Sequence, residues 1–205
     1  MSNIFSKAFN KLTKEDNFKE KAHILIDVDG VQRNIVSKAI NIYNTKYKPE
    51  NKLKYEDWNV YHFPDLGGMP LIKHAGRELF FPDGKYTKDI FNNSEPYAGA
   101  VEGMKLINEK FNVSIVTAQF PENRIYTCNW LEKYEIECNG LIFIKDKHFI
   151  KGNILIDDRT DNLINWKVSN PNGIAIAIDQ PWNKDWTGYR FKNLIETYNF
   201  IKTIY

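Results

Sequence analysis

The sequence predicts an α/β fold built on a central parallel sheet, with a small, mostly helical cap inserted after the first strand. Three observations carry this reading. Short apolar runs rich in branched residues recur along the chain, helix-like patterns lie between them, and the interval 32–93 breaks the alternation.

The runs are Ile24–Ile26, Val113–Val116, Leu141–Ile144, Ile154–Ile156 and Ile174–Ile178, each bounded by polar or glycine residues. Such runs suit strands buried on both faces of a parallel sheet. Between them, Val101, Met104, Leu106 and Ile107 put an apolar stripe on 98–111. The segment 121–134 opens with Pro-Glu and carries Ile125, Cys128 and Leu131 on one side. Further helices are expected over 161–168 and 191–204. Strands alternating with helices imply right-handed crossovers.

Inside 32–93 the pattern changes. Ile35, Ala39, Ile42 and Tyr43 give one helical stripe. Tyr55, Trp58, Tyr61, His62 and Phe63 follow, and then the turn residues Pro64, Gly67, Gly68 and Pro70. A connection this long without structure is unusual inside a compact domain. The expected division is therefore a core of 1–31 and 94–205 and a cap of 32–93 over the sheet's active edge.

With 205 residues, 42% of them hydrophobic, the chain can bury a real core. A formal net charge of +2 argues against a stable nucleic-acid partner. Lys7, Lys11, Lys14, Lys19 and Lys21 crowd the N-terminus, but Glu15, Asp16 and Glu20 intersperse them, which reads as a solvated helix. Cys128 and Cys138 match no zinc or redox spacing and are expected to be reduced thiols. No apolar run reaches the ~18–20 residues of a membrane span, and no apolar signal core opens the chain. A cytoplasmic protein without membrane partners is expected, and a homodimer is left open.

The chemistry sits at strand ends. Ile24-Leu25-Ile26 runs directly into Asp27-Val28-Asp29-Gly30-Val31. In open α/β sheets, ligands bind beyond the carboxyl ends of the strands. Two carboxylates one residue apart can meet one small site there, and the glycine lets the chain turn sharply. A second run, Ile154–Ile156, ends in Asp157-Asp158-Arg159. Four acids at two buried strand ends repel one another without a cation. A hard dication with oxygen ligands resolves this, and Mg²⁺ suits best because it also grips substrate phosphate. The run Val113–Val116 leads into Thr117-Ala118-Gln119, where a hydroxyl and free N–H groups before a helix can cradle an anion. The run Leu141–Ile144 is followed by Lys145-Asp146-Lys147, where a lysine can neutralise a phosphate.

In this order, Asp-x-Asp-Gly-Val, Thr117, Lys147 and Asp157-Asp158 resemble the haloacid-dehalogenase-like hydrolase superfamily. Finer details resemble the 5′(3′)-deoxyribonucleotidase family, the cytosolic type C pyrimidine nucleotidases. They are Pro96-Tyr97-Ala98-Gly99-Ala100, Trp130-Leu131-Glu132-Lys133-Tyr134, Asp146-Lys147, Leu155–Arg159 and Asp179-Gln180-Pro181-Trp182-Asn183. The resemblance implies a three-layer Rossmannoid sandwich and an Mg²⁺-dependent phosphatase acting on (deoxy)nucleoside monophosphates. It implies that Asp27 is the nucleophile and a metal ligand. Asp29 is then the general acid and base, with its carbonyl on the metal. Thr117 and the Ala118 backbone hold the phosphoryl group, and Lys147 pairs with Asp27 and the phosphate. Asp158 ligates the metal with Asp157 close by, and which of the two binds directly stays open. The chain departs from the family at Gln32-Arg33-Asn34 and at Ala118-Gln119-Phe120. Arg33 is expected near the pocket entrance. Trp58, Tyr61, Phe63 and Phe81 are candidates to stack on a base, and Arg33, Lys73, His74 and Arg77 to meet a phosphate or base edge. The alternatives are another small phosphomonoester, a nucleic-acid 3′-phosphate end, or a catalytically idle binding protein of the same fold.

Overall fold

The computed structural model describes residues 21–58 and 75–205. Its strands are β1 (His23–Ile26), β2 (Asn112–Thr117), β3 (Gly140–Phe143), β4 (Ile154–Asp157), β5 (Ile174–Ile178) and β6 (Tyr189–Phe191). They form one parallel sheet in the order β3-β2-β1-β4-β5-β6. The expected runs are all strands. β6 was not expected: it ends at Phe191, where the helix was expected to begin, and three residues carry no period. The helix begins only at Leu194, where Asn193 accepts from the Glu196 N–H at 3.0 Å.

Alternation along each strand sorts side chains to two faces. Ile24 and Ile26, Ile154 and Ile156, and Ile176 and Ile178 join one buried cluster. Leu25, Leu155, Ala175 and Ala177 join another on the opposite face. The first face is covered by α4 (Ala100–Lys110), α5 (Arg124–Lys133) and α7 (Leu194–Ile201), through Met104, Ile107, Trp130, Leu131, Leu194 and Ile201. The second is covered by α6 (Thr160–Ser169), through Leu163 and Trp166. Gly103 lets α4 and α7 meet, because a Cβ there would stand 2.5 Å from the Leu194 Cβ. In α5 the buried side is Thr127, Trp130 and Leu131. Ile125, expected on that side, is 56% exposed. The edge strand β3 is only half-buried along its length, unlike the doubly covered strands expected.

A third cluster has its own helices, α1 (Ile35–Ile42), α2 (Ala75–Phe80) and α3 (Thr87–Asn93). It gathers Val36, Ala39, Ile40, Ile42, Leu53, Trp58, Leu79, Ile90 and Phe91. Asn34 caps α1 by accepting from the Ser37 N–H at 3.0 Å. No helix among the described residues is long and apolar enough to cross a membrane. Cys128 and Cys138 are unbridged.

Candidate active site

β1 lies between β2 and β4: the chain winds from β1 through β2 to β3 on one side and then crosses back to β4 on the other, and this reversal opens a crevice at the carboxyl end of β1. Register then decides which side chains meet. Ile26 pairs with Ile156, and the Asp27 N–H donates to the Ile156 carbonyl at 3.0 Å. Asp27 and Asp157 therefore stand side by side at the strand ends. Asp27, Asp157 and Asp158, all buried, offer carboxylate oxygens within 4.8 Å of one another.

Lys147 opens a short 3₁₀ turn after β3 and is 2% exposed. Its Nζ lies 2.8 Å from Asp27 Oδ2 and 2.6 Å from Asp157 Oδ2. Burial works against its ammonium, but Asp157 and Asp27 outweigh burial and lift its pKa. Burial also raises the Asp27 carboxyl, helped by Asp157 and Asp29 and opposed by Lys147, to about 6. Burial, reinforced by Asp157 and Asp27, holds Asp158 well above the usual carboxylate range. Three carboxylates around one ammonium leave an excess of negative charge in a low-dielectric site.

The two neighbouring acids differ in their partners. Asp157 is committed: besides Lys147 it accepts from the Arg159 N–H at 2.9 Å and from Asn162 Nδ2 at 3.1 Å. Asp158 Oδ2 accepts from Trp182 Nε1 at 2.9 Å, while its buried Oδ1 has no hydrogen-bond partner among the described residues. An orphaned buried carboxylate oxygen beside two other acids is what a hard divalent cation would satisfy. The residues fit Mg²⁺.

Asp29 faces a cleft of about 630 Å³ whose walls include Gly30, Trp58, Phe80, Phe91, Ala118, Gln119, Phe120, Lys145, Asp158 and Trp182. Ala118 thus lies at the cleft, and the preceding Thr117 ends β2 as a buried residue. Gly30 has φ +80°, and a Cβ there would fall 2.1 Å from Asp158 Oδ2.

Arg33 does not line the entrance. It has no exposure, and its guanidinium is spent on Asp29, the Phe91 carbonyl and Thr127. The expectation failed because a fork four residues after Asp29 reaches back to a buried carboxylate that needs a counter-charge. Trp58 is both a cleft residue and part of the third cluster. Phe80, not Phe81, lines the cleft; Phe81 is 43% exposed and its ring centroid is 5.8 Å from that of Phe120. Arg77 is exposed and paired with Asp83. Tyr61, His62, Phe63, Lys73 and His74 lie outside the described residues.

Gln119, Gln180, Trp182 and Asn183 had been given no roles. Gln180 Nε2 donates to the Gly30 carbonyl at 2.7 Å and its Oε1 accepts from Tyr55 Oη at 2.7 Å. Asn183 Nδ2 donates to the Asp158 carbonyl at 2.7 Å. The Gln-Pro-Trp-Asn motif was the signal that could have found the last three, while Gln119 stood out only as a departure from the family pattern.

This sheet order, with acids at the ends of β1 and β4 and a lysine after β3, defines a hydrolase of the haloacid-dehalogenase type. Solved structures share the fold. A haloacid-dehalogenase-like hydrolase from Streptococcus pneumoniae matches with TM-score 0.59 at 11% identity, over 88% of this chain and 98% of its own. A provisionally assigned hydrolase of this type from Bacillus subtilis, bound to magnesium, gives 0.56 at 12% identity, over 89% and 99%. Within that class the chain belongs to the 5′ nucleotidase, deoxy (pyrimidine), cytosolic type C family, whose sequence profile matches residues 21–204. It is accordingly an enzyme of the phosphatase kind. A protein of Bordetella parapertussis, provisionally named a 5′(3′)-deoxyribonucleotidase, is 23% identical over 80% of this chain and 87% of its own. A Bordetella pertussis protein of the same provisional name is 24% identical over the same shares.

Proposed function

We propose that the protein hydrolyses (deoxy)nucleoside monophosphates with Mg²⁺, through a phosphoryl group carried on Asp27. The observation that carries this is the buried triad of Asp27, Asp157 and Asp158 around Lys147, with Asp158 Oδ1 left unpartnered. Asp27, the Asp29 carbonyl and Asp158 would hold the ion, with Asp157 orienting Lys147. Bound there, Mg²⁺ supplies the positive charge that lets an anionic nucleophile approach an anionic phosphate.

The chain's own groups then divide the work. An Asp27 carboxylate oxygen attacks phosphorus, and the bond to the nucleoside oxygen breaks. Lys147, held against Asp27, neutralises charge that grows on the phosphoryl oxygens. Thr117 and the Ala118 N–H hold those oxygens. Asp29 gives a proton to the leaving alkoxide and later takes one from the water that cleaves the intermediate. Residues 32–93 act as a cap that closes the site from water, and Trp58, Phe63 and Phe80 meet the nucleoside. The family's cytosolic description supports a cytoplasmic enzyme.

A phosphate-release screen with Mg²⁺ across nucleotides, sugar phosphates and 3′-phosphorylated oligonucleotides tests this reading. The expected outcome is release from deoxynucleoside monophosphates, stopped reversibly by EDTA and absent in Asp27→Asn. Activity that survives chelation, or that survives in Asp27→Asn, refutes it.

A further inference from the structure

Arg33 is one of the largest fully buried side chains among the described residues. Its guanidinium carbon lies 4.9 Å from the centroid of the Phe91 ring and 5.4 Å from that of Trp130. Nε donates to Asp29 Oδ1 at 2.7 Å and Nη2 to Asp29 Oδ2 at 3.1 Å. Nη1 donates to the Phe91 carbonyl at 2.7 Å, and Nη2 also to Thr127 Oγ1 at 3.0 Å. The backbone is tied as firmly. The Arg33 N–H donates to the Val28 carbonyl at 2.8 Å, and its carbonyl accepts from the Gly30 N–H at 3.2 Å. Three separate parts of the fold thus meet on one side chain: the loop after β1, the end of α3 and the middle of α5.

Arg33 is not among the residues that wall the cleft. It holds no substrate group there. What it does hold is both oxygens of Asp29, which does face the cleft. A bidentate guanidinium fixes the plane of a carboxylate as well as its position, and a lysine would offer only a point charge. Gln119 adds a third donor to Asp29 from the cleft side.

We infer that Arg33 is the positioning residue for Asp29, setting that carboxyl against α3 and α5 so that it meets the leaving oxygen. The inference rests on the reading of Asp29 as acid and base. Its signature is dependence on the leaving group. A nucleoside alkoxide needs a proton as it departs; p-nitrophenolate does not.

The test compares kcat/KM for thymidine 5′-monophosphate and p-nitrophenyl phosphate, because kcat/KM reports only the steps through transfer to Asp27. Acid–base catalysis contributes ~10²–10⁴-fold, so Arg33→Met should lose about 100-fold on the nucleotide and under tenfold on the aryl phosphate. Arg33→Lys should recover part of the nucleotide loss. In an Asp29→Asn background, Arg33→Met should cost nothing further on the nucleotide. If Arg33→Met does not fold, Arg33→Lys carries the comparison and must still lose more on the nucleotide. Equal losses on both substrates, or additive losses in the double variant, overturn the inference. Asp29→Asn alone separates the two claims. If it shows no leaving-group dependence, the reading of Asp29 fails; if it does and the Arg33 variants do not, only the role of Arg33 fails.

Discussion

At the scale of single residues, Gly30 carries two constraints at once. Its φ of +80° lies where side chains are strained, and the space for a Cβ is filled by the Asp158 carboxylate at 2.1 Å. Gly30→Ala therefore has to move either the Asp27–Asp29 loop or Asp158. A displacement of about 1 Å in a catalytic group can cost ~10²-fold. We expect turnover at saturating Mg²⁺ to fall by about that factor, measured as kcat, while circular dichroism stays native. Unchanged kcat would show that the loop and Asp158 do not need this close approach. The acids were legible in the sequence because each follows a short branched run, and a strand end is where such a residue can act. Arg33 was misread for a matching reason: its sequence neighbours are polar, and only the fold shows Phe91 and Trp130 enclosing it.

At the scale of elements, the short turn after β5 ties the site together. Pro181 opens a 3₁₀ turn over Pro181–Asn183, which aims Trp182 Nε1 at Asp158 Oδ2 and Asn183 Nδ2 at the Asp158 and Ile178 carbonyls. The same turn reaches the third cluster's side of the cleft, where Tyr55 donates to Gln180 and shares a 2.7 Å hydrogen bond with Tyr97. Trp182→Phe keeps most of the ring but removes the donor to Asp158. Partners that orient a metal ligand are commonly worth 10–100-fold in affinity or activity. We expect Mg²⁺ to bind about tenfold more weakly, by calorimetric titration, and an unaltered affinity would show that Trp182 does not hold Asp158 for the ion. The buried strands were legible because their alternation and length are strong signals. β6 and the buried side of α5 were not. Three residues show no period, and in α5 the polar Thr127 faces inward to meet Arg33 while the apolar Ile125 faces solvent.

At the scale of the whole molecule, the fold concentrates like charge where it is least tolerated. Although Lys147 pairs with Asp27 and Asp157, the crowding of Asp27, Asp157 and Asp158 makes the metal-free site a source of instability. An ion that binds only the folded chain at about 100 times its Kd adds ~2.7 kcal/mol. For a chain of this size each kcal/mol moves Tm by ~2–4 °C, so saturating Mg²⁺ should raise Tm by roughly 5–11 °C. A melt that ignores Mg²⁺ would remove the ion from this site. The sign with pH follows from Asp27, whose carboxyl is lifted from 3.8 to about 6 in the folded protein. A group raised in the folded state binds its proton more tightly there. The stability it contributes is complete below pH 3.8 and is lost as pH rises through about 6. Without metal, Asp27→Asn should therefore gain on the parent as pH climbs across that window, and the gain should level off above it. In Mg²⁺ the order should reverse, because the variant gives up the carboxylate that the ion uses. Denaturant melts of both proteins at pH 5 and pH 7.5, with Mg²⁺ or EDTA, measure this directly. An advantage for Asp27→Asn that is the same at both pH values in EDTA would show that the charge on Asp27 is not what the metal-free fold resists.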